Sequence, residues 1–254
     1  MLKKILIISI ILSALTVTAC KKTDIETENK YFDEELGILT ETTIDDFGYI
    51  LNSDGDGIII TYKIVKAINV IIPDTIEDLP VIGFQSSLFN NDTIVRSVTL
   101  PVTVTAIPAF AFRYCSSLSS ITMPGVITVG DQAFRDTNIG EITMPLVTTI
   151  GNEVFFESDS LTFADMPSIV TIGWNAFRNC VNLVKVNFGE ELTTLGLSAF
   201  NGCRSLKDIN VPESLTTFLL DRWDRIDHTF SGCHRLPLAI RAQLIERGYS
   251  GNGF

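Results

Sequence analysis

The sequence predicts a β-rich solenoid: about six to seven coils of 21–23 residues, closed by an N-terminal β cap and a short C-terminal helix. Three observations carry that prediction. A two-residue marker recurs at Leu88-Phe89, Ala111-Phe112, Ala133-Phe134, Val154-Phe155, Ala176-Phe177, Ala199-Phe200 and Thr229-Phe230, and its phenylalanines stand 23, 22, 21, 22, 23 and finally 30 residues apart. An apolar-Gly step precedes the marker at Val129-Gly130, Ile150-Gly151, Ile172-Gly173 and Leu195-Gly196, and Cys-x-x-Leu follows it at Cys115/Leu118, Cys180/Leu183, Cys203/Leu206 and Cys233/Leu236. An alternating segment then runs to proline at Ile121-Thr122-Met123-Pro124, Ile142-Thr143-Met144-Pro145 and Ile209-Asn210-Val211-Pro212. A fixed period of this length marks an array in which each repeat is one coil.

The elements follow in chain order. Residues 1–19 read as a signal peptide, with Lys3 and Lys4 ahead of an apolar run from Ile5 to Val17. That run is too short for the ~20 residues that span a bilayer. Its end, Val17-Thr18-Ala19-Cys20, resembles the lipobox of bacterial lipoproteins, which implies that Cys20 is acylated and becomes the mature first residue. Lys21 after the cysteine, by the same resemblance, favours the outer membrane. Residues 20–33 are polar, lack apolar periodicity and read as a disordered tether.

Residues 34–80 read as the N-terminal cap. Phe47 to Leu51 and Ile58 to Lys63 are β-prone and flank Asn52-Ser53-Asp54-Gly55-Asp56-Gly57, a hairpin signal. The repeats occupy 81–235. A single unit cannot bury its apolar face, whereas stacked units lay Leu on Leu and Phe on Phe. Within each strand alternate residues point in, so Ile121 and Met123 face the core and Ser120 and Thr122 face out. Glycine in the apolar-Gly step suits a tight bend. Residues 236–254 read as the closing helix, with Pro237 near its first turn, Leu238, Leu244 and Ile245 as an apolar stripe, and Gly248 as the stop.

The pattern Leu-x-x-Ile-x-x-Pro, then Ile-Gly-x-x-Ala-Phe-x-x-Cys, resembles the BspA-type (Treponema-type) leucine-rich repeats of bacterial surface proteins, from about Ile71 to the C-terminus. The resemblance implies a right-handed leucine-rich-repeat superhelix. Ile72 to Val81 looks like that family's lead-in to its first repeat, and Leu236 to Tyr249 like its terminal helix. Thr137 and Ser158 replace the repeat cysteine, Gly189 replaces the proline, and the last unit is longer around Trp223.

Composition narrows the function. Nineteen basic against thirty acidic residues give a net charge of −11, and loss of residues 1–19 leaves seventeen against thirty. Such a body repels phosphate backbones, which argues against nucleic-acid binding. Two histidines leave little material for a zinc enzyme, and no nucleophile elbow, His-Glu-x-x-His helix or phosphate-cradling loop occurs. No cofactor or metal is expected, and the chain does not read as an enzyme. Asn52-x-Asp54-x-Asp56-Gly57 resembles half a calcium loop, but Lys63 stands where the bidentate acid belongs. His228, Cys233 and His234 lack a second matched ligand pair, and Glu190-Glu191 reads as a solvated turn. The repeat cysteines Cys115, Cys180, Cys203 and Cys233 stack one rung apart, a geometry that favours free buried thiols over disulfides.

Surface is therefore the candidate site. Outward strand positions Ser97/Thr99, Ser120/Thr122, Glu141/Thr143, Phe163/Asp165, Lys185/Asn187 and Asp208/Asn210 are expected to form one face of six rungs, on the order of 25 Å across. Phe163 is an aromatic where the pattern asks for a polar residue, and Phe110 and Trp174 fill exposed positions that are polar elsewhere. Exposed aromatics among hydroxyls and amides suit protein or sugar recognition, although single exposed apolar residues are common. The expected function is a surface-anchored, non-catalytic binding module for a protein or glycan. The family resemblance implies adhesion to host, matrix or other bacterial macromolecules. The alternative is an accessory envelope lipoprotein that binds periplasmic or outer-membrane partners.

Overall fold

The computed structural model describes residues 32–33, 38–41, 46–64, 66–219, 228–251 and 253–254. The signal peptide, Cys20, most of the tether and the segment around Trp223 lie outside the described residues. The solenoid is formed as expected, with about seven coils and, among the described residues, one helix.

Among the described residues seven strands precede Phe89, the first ring of the repeat marker: β1 (Phe32–Asp33), β2 (Ile38–Glu41), β3 (Phe47–Leu51), β4 (Ile58–Lys63), β5 (Ala67–Ile71), β6 (Thr75–Ile76) and β7 (Leu79–Phe84). Strands β3 and β4 pair antiparallel around the Asn52–Gly57 turn. Asn52 Oδ1 accepts the backbone N–H groups of Asp56 and Gly57, both at 3.1 Å, so its side chain braces the turn. Lys63 ties the end of β4 to the segment after Phe89, pairing with Asp92 and lying 5.2 Å from the Phe89 ring centroid. Strands β6 and β7 form a second hairpin, whose turn residues Glu77 and Asp78 have φ 50° and 64°, as the mirror-image hairpin turns require.

One sequence expectation needs correction here. Phe32 and Asp33, placed in the disordered tether, form β1 and pair antiparallel with Leu39 and Ile38 of β2. Strand β2 in turn pairs parallel with β5, so β1 shields what would otherwise be an open sheet edge.

Each coil then contributes two strands, one of two to four residues, called the longer strand below, and one short strand of two. The longer ones are β8 (Ser97–Thr99), β10 (Ser120–Thr122), β12 (Glu141–Thr143), β14 (Phe163–Met166), β16 (Lys185–Phe188) and β18 (Asp208–Ile209). The short ones are β9 (Ala106–Ile107), β11 (Thr128–Val129), β13 (Thr149–Ile150), β15 (Thr171–Ile172), β17 (Thr194–Leu195) and β19 (Thr217–Phe218). The short strands run as one unbroken parallel sheet from β9 to β19.

The core is a column of phenylalanines. Phe89, Phe112, Phe134, Phe155, Phe177, Phe200 and Phe230 are fully buried and stacked, with successive centroids 4.8–5.4 Å apart and planes within 22° of parallel. The spacing is close to the separation of neighbouring strands, so the ladder dictates the stack. The thirty-residue step from Phe200 to Phe230 keeps it, at 5.4 Å and 3°. Both ends are closed edge-on: Phe84 meets Phe89 at 81°, and Tyr249 meets Phe230 at 80°.

The apolar-Gly step has a different cause from the one expected. Gly130, Gly151, Gly173 and Gly196 do not have positive φ. A Cβ on Gly173 would lie 2.4 Å from the Gly151 carbonyl carbon, and one on Gly196 would lie 2.4 Å from that of Gly173. Glycine is there because consecutive coils touch through their backbones. The left-handed positions of each coil fall instead on other residues, as in Phe110/Tyr114, Gln132/Asp136, Glu153/Glu157 and Asn175/Asn179.

Helix α1 (Leu238–Glu246) follows Pro237 as expected, and Gly248 at φ 104° ends it. The apolar stripe is not realised. Leu244 is buried, but Leu238 is 81% and Ile245 58% exposed. The seal comes from Tyr249, Leu244 and Phe254, with the Tyr249 and Phe254 rings 4.9 Å apart.

Candidate functional site

The longer strands place the outward residues in register. Asn69, Ser97 and Ser120 are aligned, as are Ile71, Thr99 and Thr122. Beyond them Glu141, Phe163, Lys185 and Asp208 form one row, and Thr143, Asp165 and Asn187 the next.

These rows do not form the single six-rung face that the sequence led us to expect. The first sheet runs β1-β2-β5-β8-β10 and the second β12-β14-β16-β18, with no pairing between β10 and β12 among the described residues. The cause lies in one short segment. From the core phenylalanine to the central residue of the next strand the chain takes nine steps in five coils (Phe89 to Val98, Phe112 to Ile121, Phe155 to Ala164, Phe177 to Val186, Phe200 to Ile209) and eight from Phe134 to Ile142. The missing residue falls at the Thr137 substitution. Thr137 Oγ1 turns to its own coil's Phe134 carbonyl at 3.1 Å rather than back to the preceding coil.

The seam leaves an opening. Ile121 is half-buried, whereas its counterparts Val98, Ile142, Ala164, Val186 and Ile209 are buried. A depression of about 270 Å³ is lined by Ile121, Thr122, Met123, Pro124, Thr143 and Pro145. Leu146 and Ile127 nearby in sequence are 49% and 42% exposed.

The rest of the face divides on either side. Thr99, Ser120, Thr122, Glu141 and Thr143 are exposed. Phe163, Asp165, Lys185, Asn187 and Asn210 are half-buried. Lys185 pairs with Asp208 at 3.1 Å, and Asn187 Nδ2 donates to Asp165 at 3.3 Å. Asn210 accepts the Phe188 N–H at 2.7 Å and donates to the Phe188 carbonyl at 2.9 Å, so its amide extends the ladder rather than the face. Phe163 stands between Glu141 and Lys185 and is a partly covered ring, not a free one. Trp174 and Phe110, on the turn side of the coil, are 54% and 39% exposed.

The repeat thiols are structural. All four are free and buried. Each Sγ donates to the carbonyl of the preceding coil's phenylalanine: Cys115 to Phe89, Cys180 to Phe155, Cys203 to Phe177 and Cys233 to Phe200, at 2.9–3.1 Å. Ser158 does the same to Phe134 at 3.0 Å. Burial pushes the Cys115 and Cys233 thiols up to about 12 and raises Cys180 and Cys203 as well. A thiol held neutral in this way is a poor nucleophile and a poor metal ligand. His234 Nδ1 sits 2.8 Å from the Phe254 carbonyl. No group of three or more potential metal-ligating side chains gathers among the described residues.

An extended, layered coil with registered outward rows and a core of stacked phenylalanines is a leucine-rich-repeat solenoid, a class of typically non-catalytic binding scaffolds. The description "BspA type Leucine rich repeat region" matches six copies over residues 62–162 and 148–237. The chain belongs to that family. Among solved structures it is similar to the T. pallidum leucine-rich repeat protein, at 33% identity and a TM-score of 0.75, over 84% of this chain and 98% of that one. A leucine-rich repeat protein from Bacteroides ovatus is similar at 17% identity and a TM-score of 0.39, over 84% of this chain and 99% of that one. No curated protein matches the chain.

Proposed function

We propose that the protein is a bacterial envelope lipoprotein, anchored through Cys20 in the outer membrane and displayed at the cell surface, that binds a macromolecular partner without catalysing a reaction. The repeat fold points to a protein-binding module. The anchor and its location rest on the lipobox-like Val17–Cys20, and the binding surface on the seam between β10 and β12. There an apolar floor at Ile121 and Met123 opens beside exposed hydroxyls of Thr99, Ser120 and Thr122 and the carboxylate of Glu141. An apolar centre with a polar rim is the arrangement that protein interfaces use. The C-terminal rows, with Lys185 and Asp208 paired to each other, offer less.

Two measurements test the reading. External protease on intact cells should digest residues 34–254, and protection until lysis would overturn surface display in favour of a periplasmic accessory role. Binding of intact cells to immobilised matrix proteins or to other bacteria should fall at least tenfold with Ile121→Asp and stay within twofold with Asp208→Asn. Equal loss, or none, in both would remove the seam from the interaction.

A further inference from the structure

We propose a second, separate site on the turn side of the first two coils: a pocket for one carboxylated sugar, such as the terminal uronic or sialic acid of a glycan. It is lined by Ser86, Ser87, Asn90, Phe110 and Arg113 and encloses about 240 Å³. That volume lies below the ~300–1,000 Å³ of sites for drug-sized ligands, so it suits a single ring.

Three features define this pocket, and the first sets it apart from the same place on the other coils. The first is Phe110, a bulky aromatic at φ 63° where the equivalent residues are Gln132, Glu153, Asn175 and Ser198. The left-handed φ recurs at the equivalent residues of the other coils, so it is the large apolar side chain, unfavourable there, that sets this position apart. The ring remains 39% exposed, while its neighbour Ala111 is fully buried.

The second feature is the charge of Arg113. Its counterpart one coil on, Arg135, is paired with Glu153. Arg113 has the neutral Gln132 in that place, whose Oε1 accepts from Nη1 at 3.2 Å. Gln132 itself donates to Glu153 at 3.1 Å, so the one acidic group of this network is already engaged by Arg135. Among the described residues Arg113 is therefore bonded to a neutral amide where Arg135 has a carboxylate, in a chain of net charge −11.

The third is rigidity. The guanidinium carbon lies 4.9 Å from the Phe110 ring centroid and 4.9 Å from that of Tyr114. Stacking of this kind holds the donors in place before a ligand arrives. Arg113 Nε is buried without a hydrogen-bond partner, as are those of Arg135 and Arg178, so the terminal nitrogens carry the recognition.

Each chemical group of an acidic sugar has a counterpart here. The carboxylate meets Arg113, the hydroxyls meet Ser86, Ser87 and Asn90, and a C–H face of the ring meets Phe110. An acidic peptide would use Arg113 but would leave the aromatic and the two serines without a role. The surrounding negative charge opposes any loosely held anion, so affinity must come from these local contacts.

The test is saturation-transfer NMR on the full chain in detergent micelles, with methyl β-glucuronide and N-acetylneuraminic acid as probes and methyl β-glucoside as the neutral control. Saturable transfer to ring protons of at least one acidic probe, with the neutral control roughly tenfold weaker, supports the site. Phe110→Gln, which installs the residue of the next coil and so preserves the fold, should lower affinity severalfold. Arg113→Gln should lower it tenfold or more, and Arg113→Lys should restore part of it. Equal binding of the neutral sugar, acidic-sugar binding that survives Phe110→Gln and Arg113→Lys unchanged, or no binding by either acidic probe would overturn the proposal. So would full displacement by an acidic peptide such as a glutamate tetramer with no preference for the sugar ring.

Discussion

The two sides of the coil respond differently to irregular sequence. The phenylalanine column passes through every coil, including the short one and the thirty-residue step to Phe230, with its spacing intact. The longer-strand face loses its pairing at the one place where the connecting segment is a residue short. The difference is one of directionality. Stacking and burial ask for proximity within a few tenths of an ångström, whereas a strand ladder asks each N–H to meet one carbonyl. The break therefore follows the short segment, on the longer-strand side, while the short-strand ladder passes the same coil intact.

The comparison is broken most strongly by attacking the column. Phe155→Ala, in its middle, should destabilise the fold by about 3–5 kcal/mol, read from the shift of a urea unfolding midpoint. A loss below about 1 kcal/mol would mean that the stack contributes little beyond filling space.

Alkali attacks the same side chemically. The Cys115 and Cys233 thiols stand at about 12 in the folded chain against 9.0 as the ordinary value, raised by burial. Because the folded values are raised, the thiols stabilise the fold fully below pH 9, and that contribution fades as pH climbs toward 12. The urea midpoint should fall across that window, and Cys115→Ser should flatten the fall. The four repeat thiols should also ignore a disulfide reagent at about pH 8 until the protein is unfolded.

A gentler change separates shape from hydrogen bonding. Cys180→Ser keeps a donor for the Phe155 carbonyl and should stay close to wild type, whereas Cys180→Val removes it at about 1 kcal/mol. The reverse order would show that the slot selects for volume.

The smallest effect sharpens the other side. Inserting one serine after Thr137 restores nine steps from Phe134 to the next strand. Hydrogen exchange at the amides of β12 should slow toward that of β14 and β16, with a global gain of about 1 kcal/mol. Unchanged exchange would separate the seam from the segment length.

Most of the fold was legible because its causes repeat. Seven phenylalanines in period, with cysteine and proline at fixed offsets, determine coils, core and thiols before any coordinate is known. The hairpin at Asn52–Gly57 was legible for the local reason that Asn and Gly bend the chain there. The seam was written in the sequence as the 21-residue step, but its effect depends on where the deletion falls within the coil. The glycine column was visible, yet contact between neighbouring backbones looks like a bend when only one chain segment is considered. The fates of Leu238 and Ile245 were not legible: an apolar residue near a short helix does not reveal whether a neighbour covers it. Of the outward residues, Asn210 and Phe163 differ from expectation because an amide or a ring beside a strand can turn back onto it. Arg113 carries one signal in the sequence itself: its downstream partner position holds Gln132 where the next coil has Glu153.

The edge-on rings of Phe84 and Tyr249 have an implication for how such molecules change length. These rings cap the parallel column at its two ends, so a coil added between them would meet the same kind of neighbour above and below. A coil gained or lost by exchange between two similar stretches of the gene would leave both closures as they are. The reach of the protein can then vary in steps of a single rung, while the seals at its two ends stay the same.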